Sequence, residues 1–464
     1  MAVLPYTIIY GGVACGLERI RRTGAGVYEQ AQGEGSSRRE EDAVMKILIV
    51  GLNFWPELVG VGKYSGEMAA SLAAAGHDVR VVAGPPYYPA WRRGKEWPRL
   101  GYRRERIALS GTGGRPPASA SGAVEIFRCP IYVPQQPTGF RRLLHLVSFA
   151  TSSLPVLLPQ LWWRPRVVMV IAPTLASAPG ALMAARSTGA LAWLHMQDFE
   201  VDAAYELGLL KPAVLKRIAI RCERWLLRRF DRISTISQAM AERLVQKGVM
   251  PQQVEVLPNW VDTAIIRPMD EPSVFRARLG IKDGRLVALY SGVIGTKQGL
   301  ERVVDAARFL ESLPLDFVIC GEGPAKVQLE EQALGLDNVR FIALQPVALL
   351  NELLNLADIH LLPQRPDVAD LVMPSKLAGM FASGRPVVAI ANSGTQIAKM
   401  VEGCGRVVRP DSPEAFARAI ADLAGDPGLR ACLGAAGRAR AKSDLSRDRI
   451  LAEFERRLRA VAGS

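Results

Sequence analysis

A glycine-rich turn with a lysine follows the first strongly apolar run of the chain. Gly60, Gly62 and Lys63 stand where KILIVGLNF gives way to a helical pattern. Glycines let a backbone approach an anion, and a helix amino terminus offers free N–H groups and positive partial charge. The turn is not a Walker A loop, because Glu57 replaces its first glycine and Tyr64 its Ser or Thr. It is either a phosphate or acceptor contact, or a plain tight turn.

A histidine followed by carboxylates comes at the end of a later apolar run. His195 ends ALAWLH, and Asp198 and Glu200 lie closely behind it. A histidine flanked by carboxylates at the carboxyl end of a strand could orient or deprotonate a substrate hydroxyl. A structural histidine bonded to the backbone is the alternative, and both interpretations stay open.

Two loops in the second half of the chain combine glycine with charge. Gly292 ends LVALYSG, and Lys297 opens the next helical stretch, where it is either a point charge for a diphosphate or a surface lysine. Glu322 and Gly323 belong to CGEGP, which also follows an apolar run. Each loop therefore stands directly after a predicted strand.

The segment MPSKL supplies the last candidates. Pro374 suits the first turn of a helix, so Ser375 and Lys376 would be among the first donors that a bound phosphate meets. In open α/β sheets, ligands bind beyond the carboxyl ends of the strands, where loops lead into helices. The candidates from both halves of the chain occupy such positions.

The elements that must position these residues alternate between short β-branched runs and amphipathic stretches, which is typical of parallel sheets covered by helices. This alternation of strand-like and helix-like segments starts at Met45, stops at the turn-forming residues PNWVD and resumes near Leu286. We predict an α/β protein with two tandem doubly wound, Rossmann-like domains and a cleft between them. The domains are residues 45–265 and 266–445, and a final helix over 446–464 packs back on the first.

The predicted boundaries can be stated for most elements. The first-domain strands are Lys46–Phe54, Val79–Ala83, Val124–Arg128, Val167–Ala172, Ala190–His195, Arg232–Ile236 and Val254–Leu257. The clearest helices are Ser65–Ala75, Glu301–Leu313, Pro413–Ala424 and Arg447–Ala460. Residues 1–44 show neither period, nor the apolar segment and cleavage site of a signal peptide. We interpret them as a disordered leader or the result of a start codon assigned too early.

Composition narrows the class of protein further. A chain of 464 residues suits two domains, and 49% apolar residues are enough for folded cores. The six cysteines stand singly, without CxxC pairs or a histidine at ligand spacing, so a reducing cytoplasm is the natural compartment. Cys222 and Cys320 stand in apolar runs and are predicted to be core residues.

The net charge of +13 is concentrated in two segments. Residues 80–106 hold eight Lys or Arg against two Glu, and residues 211–232 hold eight against two acids. Nucleic acid or an anionic membrane would suit such surfaces, but no nucleic-acid-binding module is recognisable. The predicted helix Ala213–Phe230 carries four arginines on one face, either for a membrane or as a solvated face: Arg217, Arg221, Arg224 and Arg228.

A second membrane signal begins at Phe140. This basic stretch becomes apolar and continues to Trp162 and Trp163, with prolines at 155 and 159. Because the prolines interrupt it, and because no charge-free apolar run reaches membrane-spanning length, we expect no transmembrane helix. A segment of this composition is predicted to lie on a membrane surface.

The motifs occur in the order of a known family. PELVGVGKYSGE, GHDVRVV, PPYYPAW, HMQDFEVDA, PNWVD, YSGVIGTKQGL, CGEGP and MPSKL resemble the family 4 nucleotide-sugar glycosyltransferases of the GT-B fold. PPYYP and HMQDFE are similar to the colanic acid or exopolysaccharide branch. The resemblance runs from Met45 nearly to the C terminus, and relatives start at that methionine.

The resemblance implies a retaining sugar transfer in the cleft between the domains. The donor is expected to be a GDP- or UDP-sugar, with fucose-type sugars among the candidates, and the acceptor a lipid-linked oligosaccharide for exopolysaccharide assembly. In the second domain, Lys297 would neutralise the diphosphate, and Ser375 and Lys376 would lie beside it. Glu322 and Gly323 would lie near the nucleotide.

For the first domain, the resemblance places the Gly60, Gly62 and Lys63 turn near the reacting centre, and His195 or Asp198 on the transferred sugar. It implies no metal ion and no other cofactor. From the resemblance, together with the single cysteines and the basic and apolar segments described above, the chain is predicted to be a cytoplasmic enzyme, peripheral to the inner face of the cytoplasmic membrane, that binds no nucleic acid.

Two residues depart from the family pattern. Val293 stands where relatives often have Arg, and Gly379 stands where the second of two paired glutamates would fall. These departures keep open a non-catalytic scaffold of a polysaccharide complex. A GT-B-like sugar-nucleotide epimerase, which shares the two-domain layout, is the alternative enzyme. An NAD oxidoreductase is disfavoured because the dinucleotide fingerprint is missing.

Overall fold

The computed structural model contains two parallel sheets with helices on their faces. It describes residues 44–57, 60–98, 100–108, 123–136, 138–202, 213–295, 298–365, 375–410 and 412–463. The predicted leader lies outside the described residues except for its last residue, Val44.

The first sheet is built from the N-terminal half of the chain. Its strands are β1 Lys46–Gly51, β2 Asp78–Ala83, β3 Arg103–Ala108, β4 Ala123–Arg128, β5 Val167–Ala172, β6 Leu191–Met196, β7 Arg232–Thr235 and β8 Val254–Val256. Their order in the sheet is β3-β4-β2-β1-β5-β6-β7-β8. All pairs are parallel except β3, which runs antiparallel to β4. No strand was predicted at β3, because its charged sequence RRERIA lacks an apolar face.

The second sheet is built from the C-terminal half. Its strands are β9 Leu286–Ser291, β10 Leu315–Cys320, β11 Val339–Ile342, β12 Ile359–Leu362, β13 Val387–Ile390 and β14 Gly405–Val408. They are arranged in the order β11-β10-β9-β12-β13-β14, and every pair is parallel. The two doubly wound sheets confirm the predicted fold class.

Helices connect the strands of both sheets. They are α1 Gly60–Ala74, α2 Gly139–Trp163, α3 Ala178–Thr188, α4 Ala213–Leu227, α5 Gln238–Gln246, α6 Val274–Arg278, α7 Glu301–Phe309, α8 Lys326–Gln332, α9 Leu350–Leu356, α10 Lys376–Ala382, α11 Gln396–Val401, α12 Pro413–Gly425, α13 Pro427–Asp444 and α14 Arg447–Gly463. Several of these helices begin at residues whose types favour a helix start. The Ser412 hydroxyl, for example, accepts from the Ala415 amide and caps α12, whose first residue is Pro413.

Each sheet reverses its winding direction at one point. β1 lies between β2 and β5, and β9 lies between β10 and β12. Connections leave such a point toward opposite faces, and a crevice opens at the carboxyl ends of the strands. α1 follows β1, the Gly292 loop follows β9, and α10 comes after β12. The fold therefore places the candidate loops at both crevices.

The C-terminal helix α14 packs on the first sheet. Its apolar side joins the core around β1, and the Phe454 ring meets the Trp193 ring edge-on at 5.4 Å. The Arg166 side chain donates from Nε to the Ala462 carbonyl oxygen at 2.7 Å. The end of the chain thus covers one face of the N-terminal sheet.

Helix α2 corrects one prediction. Pro155 and Pro159 were expected to interrupt the segment, but the helix continues through both. One side of α2, including Phe149 and Leu157, is buried in the first core. We attribute the continuity to this packing, which compensates for the N–H donors that proline lacks. By length and composition, α2 is the one helix of the described chain that could cross a membrane, and the expectation that it does not do so stays a prediction.

The prediction that Cys222 and Cys320 are core residues is confirmed for Cys320 and wrong for Cys222. Cys320 is buried in β10, whereas Cys222 is exposed on α4. Along this part of α4 the core side consists of Glu223, Leu226 and Leu227, so Cys222 falls on the solvent side.

Candidate functional site

Helix α1 starts at Gly60, earlier than the predicted Ser65. Its first turn contains glycines, which a close contact with Glu57 requires. Gly60 has a φ of 61°, a conformation that residues with a side chain rarely adopt. A Cβ atom on Gly62 would lie 2.6 Å from Cβ of Glu57, which no real contact allows. The glycine turn thus lets the helix begin directly against Glu57.

Glu57 is buried and holds the loop that follows β2. Its Oε1 accepts from the amides of Tyr87 and Tyr88 at 3.0 and 2.9 Å, and Oε2 accepts from the Asn53 side-chain amide at 2.9 Å. Burial raises the pKa of this carboxyl, while these hydrogen bonds and the charge of Arg128 act in the opposite direction. In the sequence, Glu57 was noted only as a mismatch to a Walker A loop, and its role in holding this loop was missed.

The Lys63 side chain interacts with two residues of its own helix, Glu67 and Tyr64. Its Nζ lies 3.1 Å from Oε1 of Glu67 and 4.5 Å from the centre of the Tyr64 ring. Glu67 is fixed from the other side, because Trp260 Nε1 donates to its Oε2 at 2.6 Å. Lys63 therefore lies beside the predicted crevice with its charge already paired.

In the second domain, glycines allow the strand-end loops to touch. The Gly292 amide donates to the Cys320 carbonyl oxygen, and the Ile294 amide donates to that of Glu322, both at 2.9 Å. A Cβ on Gly321 would lie 1.9 Å from the Gly292 carbonyl oxygen. A Cβ on Gly323 would lie 2.2 Å from that of Ile294. These glycines are required by the backbone packing itself, whatever the loop binds.

The Glu322 carboxylate is exposed and paired locally. It accepts from Lys326 Nζ at 2.9 Å across one turn, and its side chain is 55% exposed. The Glu322 carboxylate is therefore accessible, and its place near a nucleotide stays a prediction.

Lys376 lies beside the Gly292 loop. Its Nζ is 4.1 Å from the centre of the Tyr290 ring and would be 3.5 Å from a Cβ atom on Gly292. Burial lowers the pKa of the ammonium to about 7. A positive charge is unfavourable at this buried position. A bound anion such as a diphosphate would stabilise the charged form of Lys376, so this lysine is a strong candidate for a diphosphate-binding residue.

The two domains meet directly at the predicted site. The Tyr64 side chain on α1 lies near the Ser375 side chain at the start of α10, and Ser375 counteracts part of the rise that burial gives the pKa of the Tyr64 phenol. Tyr64 also packs edge-on against Trp260, with ring centres 5.2 Å apart. The structure thus brings the Gly60–Tyr64 turn to Ser375, and Ser375 neighbours Lys376 and the Gly292 loop. Tyr64 was missed as a site residue, since no local pattern indicates a partner so far along the chain.

His195 lies at the end of β6 and is buried. Its Nδ1 is 2.9 Å from the Ser234 hydroxyl, and its Nε2 is 3.3 Å from the Gln197 side-chain nitrogen. Burial lowers the pKa of this imidazole to about 4, so the ring is neutral at physiological pH. In this arrangement the ring makes structural hydrogen bonds, and its contact with a sugar stays a prediction.

The carboxylates behind His195 are also engaged. Asp198 Oδ1 accepts from the amide of Phe199 at 2.8 Å. Glu200 accepts from the Leu175 amide at 2.7 Å, and burial raises the pKa of its carboxyl to about 7. Glu200 therefore has a strongly perturbed pKa, although Asp198 was the predicted site residue.

Two parts of the predicted site fall outside the described residues. One is Lys297 and the other is the segment 370–374 before Ser375. In the part of the chain that the structure describes, no three His, Cys, Asp or Glu side chains are grouped so that they could hold a metal ion.

Two family descriptions match consecutive parts of the chain. Residues 59–260 match the family described as glycosyl transferase 4-like domain. Residues 273–440 match glycosyl transferases group 1. The boundary between the matches falls within the linker between the two sheets.

Curated relatives extend the comparison. The chain is 41% identical over 386 residues to the putative colanic acid biosynthesis glycosyl transferase WcaI of Escherichia coli K12, which covers 81% of this chain and 91% of that protein. It is 29% identical over 245 residues to the D-inositol 3-phosphate glycosyltransferase of Segniliparus rotundus, covering 50% of this chain and 54% of the relative.

Solved structures share the two-domain architecture. Sucrose-phosphate synthase from Thermosynechococcus elongatus matches with a TM-score of 0.67 at 17% identity, over 90% of this chain and 100% of that one. HepE of Anabaena in complex with UDP-glucose matches with a TM-score of 0.60 at 17% identity, over the same shares. At such identities the likeness shows the fold alone.

Proposed function

We propose that this chain, which belongs to the family 4 glycosyltransferases of the GT-B fold, transfers a sugar from a nucleotide-sugar donor to a lipid-linked saccharide, with retention of configuration. We place the reaction in exopolysaccharide assembly of the colanic acid type, because the relative with 41% identity carries that description. A GDP- or UDP-sugar is the proposed donor, and HepE, of the same fold, has been solved with UDP-glucose.

The observation that carries the proposal is the proximity of the Tyr64 and Ser375 side chains. It brings the turn after β1 to the start of α10, and we therefore place one site across the two switch-point crevices. Lys376 lies within this site beside Gly292. A sugar bound between the domains would have its diphosphate near Lys376 and its anomeric carbon facing the first domain.

The chemistry that these residues can perform is stabilisation of the leaving group. When the glycosidic bond to the donor breaks, negative charge grows on the diphosphate. The Lys376 ammonium, the Ser375 hydroxyl and, as predicted from sequence, Lys297 would stabilise this charge in a site that is already organised. Because Val293 stands where relatives often have Arg, Lys297 would neutralise the diphosphate with less help. We propose no metal ion for this step, so a chelator should leave the transfer rate unchanged.

The surface of α2 supports binding to a membrane. Its outer side carries an apolar stripe, on which Phe140 is 71% and Trp162 is 81% exposed. The other members are Leu143, Leu144, Val147, Leu154 and Leu158. Since the opposite side of α2 is packed on the sheet, we propose that α2 lies on the cytoplasmic membrane surface rather than crossing it.

Helix α4 offers a second surface of the same kind. Val214 is 65%, Ile218 is 52% and Trp225 is 56% exposed. Exposed arginines of α4, and the arginine that directly follows it, alternate with these side chains: Arg217, Arg221, Arg224 and Arg228. Apolar side chains interleaved with cations suit an anionic inner leaflet, where each basic residue contributes about 1 kcal/mol. Both helices therefore support a peripheral location, where a lipid-linked acceptor would be found.

A donor panel tests the proposed function. GDP- and UDP-sugars are added singly to the purified chain, and its melting temperature is measured, since a ligand that binds the folded state stabilises it. The selected donor is then incubated with lipid-linked saccharides from membranes, and product configuration is read by NMR. Stabilisation by none of the donors would contradict the proposal. Conversion of the donor sugar without an acceptor would favour the epimerase, and binding without any turnover would favour a scaffold.

A further inference from the structure

Arg142 lies in a cluster of aromatic rings beside the crevice. Its guanidinium is 5.5 Å from the centre of the Trp91 ring. The ring centres of Tyr87 and Trp91 are 5.3 Å apart, those of Tyr87 and His145 are 4.6 Å apart, and those of Trp91 and His145 are 5.4 Å apart. Arg142 and His145 are three residues apart on α2, so their side chains share one face of the helix.

Two polar atoms in this cluster have no hydrogen-bond partner among the described residues. They are Nε of Arg142 and Nε2 of His145, and both atoms are buried. His145 is only 2% exposed, so its free nitrogen points into the protein rather than to bulk water. Buried polar atoms are seldom left unsatisfied, and such an atom indicates a missing ligand or water.

The two atoms call for different ligand groups. His145 Nδ1 lies 2.5 Å from the Tyr132 carbonyl oxygen, which fixes the proton on Nδ1 and leaves Nε2 as an acceptor. Burial lowers the pKa of this histidine, so the neutral form persists. Arg142 can only donate, preferably to phosphate or carboxylate oxygens. A ligand with an anionic group next to a hydroxyl matches both atoms.

The position of the cluster relates it to the proposed reaction. Glu57 holds the amides of Tyr87 and Tyr88, and the Tyr88 ring lies 3.7 Å from where a Cβ on Gly60 would be. The aromatic cluster is therefore a neighbour of the Gly60 turn. The exposed apolar stripe of α2 begins at the same end of that helix, with Phe140 and the leucines that follow it.

We propose that Arg142, together with Trp91 and His145, binds the phosphate that joins the lipid to the saccharide in the acceptor. The lipid would lie along the apolar stripe of α2, and the saccharide would extend from the cluster toward the crevice. A glycosyl phosphate has both the anion for Arg142 and the hydroxyl for His145. This inference rests on the proposed function, and it adds a site for the acceptor that is separate from the donor diphosphate at Lys376.

Calorimetric titration of the full chain tests this site. The ligands are farnesyl diphosphate, inorganic diphosphate and farnesol, and the donor site is first filled with UDP or GDP, whichever stabilises the protein. Arg142→Gln should weaken the binding of farnesyl diphosphate by roughly ten-fold or more, since a hydrogen bond to a charged group is lost. The matched control is Arg141→Gln, which removes the same charge from an exposed neighbour and should bind as the wild type does.

The outcomes separate this inference from the proposed function. Equal affinities of the two variants for farnesyl diphosphate would overturn the acceptor site even where the nucleotide binds. Inorganic diphosphate that binds as tightly as farnesyl diphosphate would assign the cluster to free phosphate instead of a lipid. A chain that neither UDP nor GDP stabilises would contradict the proposed function. If Arg142→Gln does not fold, Arg142→Lys against Arg141→Lys gives the same comparison, and the former should bind less tightly.

Discussion

The charge of Lys376 gives a quantitative test of the donor site, because it changes within the range of ordinary assays. Burial lowers the pKa of its ammonium from 10.5 to about 7. In the unliganded protein, about one Lys376 side chain in ten is charged at pH 8, and about one in a hundred at pH 9. A diphosphate beside the ammonium favours the charged form, so binding must take up a proton.

This proton uptake sets the expected pH dependence. Between pH 8 and pH 9 the affinity for a nucleoside diphosphate should fall about ten-fold, until the pH reaches the pKa of Lys376 in the complex. Lys376→Arg, which is charged throughout, should bind with almost no pH dependence. Lys376→Met should bind weakly at every pH, because it lacks the ammonium.

Calorimetry measures both quantities. Titrations in buffers of different ionisation enthalpy give the number of protons taken up, and titrations from pH 6 to pH 9 give the affinity. Lys326→Met is the control, because Lys326 is the first residue of the neighbouring helix α8, where it is partly exposed and paired with Glu322. The reasoning is refuted if the wild type binds the nucleotide without proton uptake, or if Lys326→Met abolishes the pH dependence as Lys376→Met does.

The same ammonium affects the stability of the unliganded protein. Its folded-state pKa is lower than its unfolded-state pKa, so between about pH 7 and pH 10.5 the unfolded chain binds more protons. The free energy of unfolding should therefore rise with pH across this window, and the contribution of Lys376 to that slope should vanish in Lys376→Met.

Three further predictions concern other parts of the site. Tyr64→Phe removes the buried hydroxyl that lies near Ser375 and should lower the free energy of unfolding by about 1 kcal/mol in urea titrations, as the loss of one hydrogen bond does; Ser375→Ala should cost little more in that background, and additive losses would show that the two do not interact. His195→Ala should keep donor binding in thermal shift and reduce transfer, and full activity would end its assignment. Trp162→Ser should weaken sedimentation with anionic vesicles at unchanged melting temperature, and unchanged sedimentation would remove α2 from the membrane surface.

The strands could be predicted well because their signal is local. Val167–Ala172 is an uninterrupted apolar run between polar residues, and its boundaries agree with β5. A central parallel strand is buried on both faces, so its sequence alone identifies it. β3 shows the opposite case. As an antiparallel edge strand it pairs on one side only, and its charged side chains form ion pairs such as Arg103 with Glu105. Its sequence therefore has no apolar pattern from which a strand could be predicted.

The helix starts were less predictable, because tertiary contacts override propensity. Glycine disfavours helices, so the pattern placed the start of α1 at Ser65. In the structure α1 starts at Gly60, since Gly62 must let Glu57 come close. The reason for these glycines is therefore a buried carboxylate that sequence reading had set aside, and the same contact positions the loop of Tyr87 and Tyr88.

The contact between the domains lies beyond any local pattern, yet it connects the site to the linker. Trp260 of the linker donates to Glu67, and Glu67 holds Lys63 at the site. The next linker residue, Val261, is bonded on both sides to the turn between α13 and α14: its amide donates to the Leu445 carbonyl oxygen, and its own carbonyl oxygen accepts from the Arg447 amide. One short segment therefore contacts both helix α1 and the turn that follows helix α13 of the second domain.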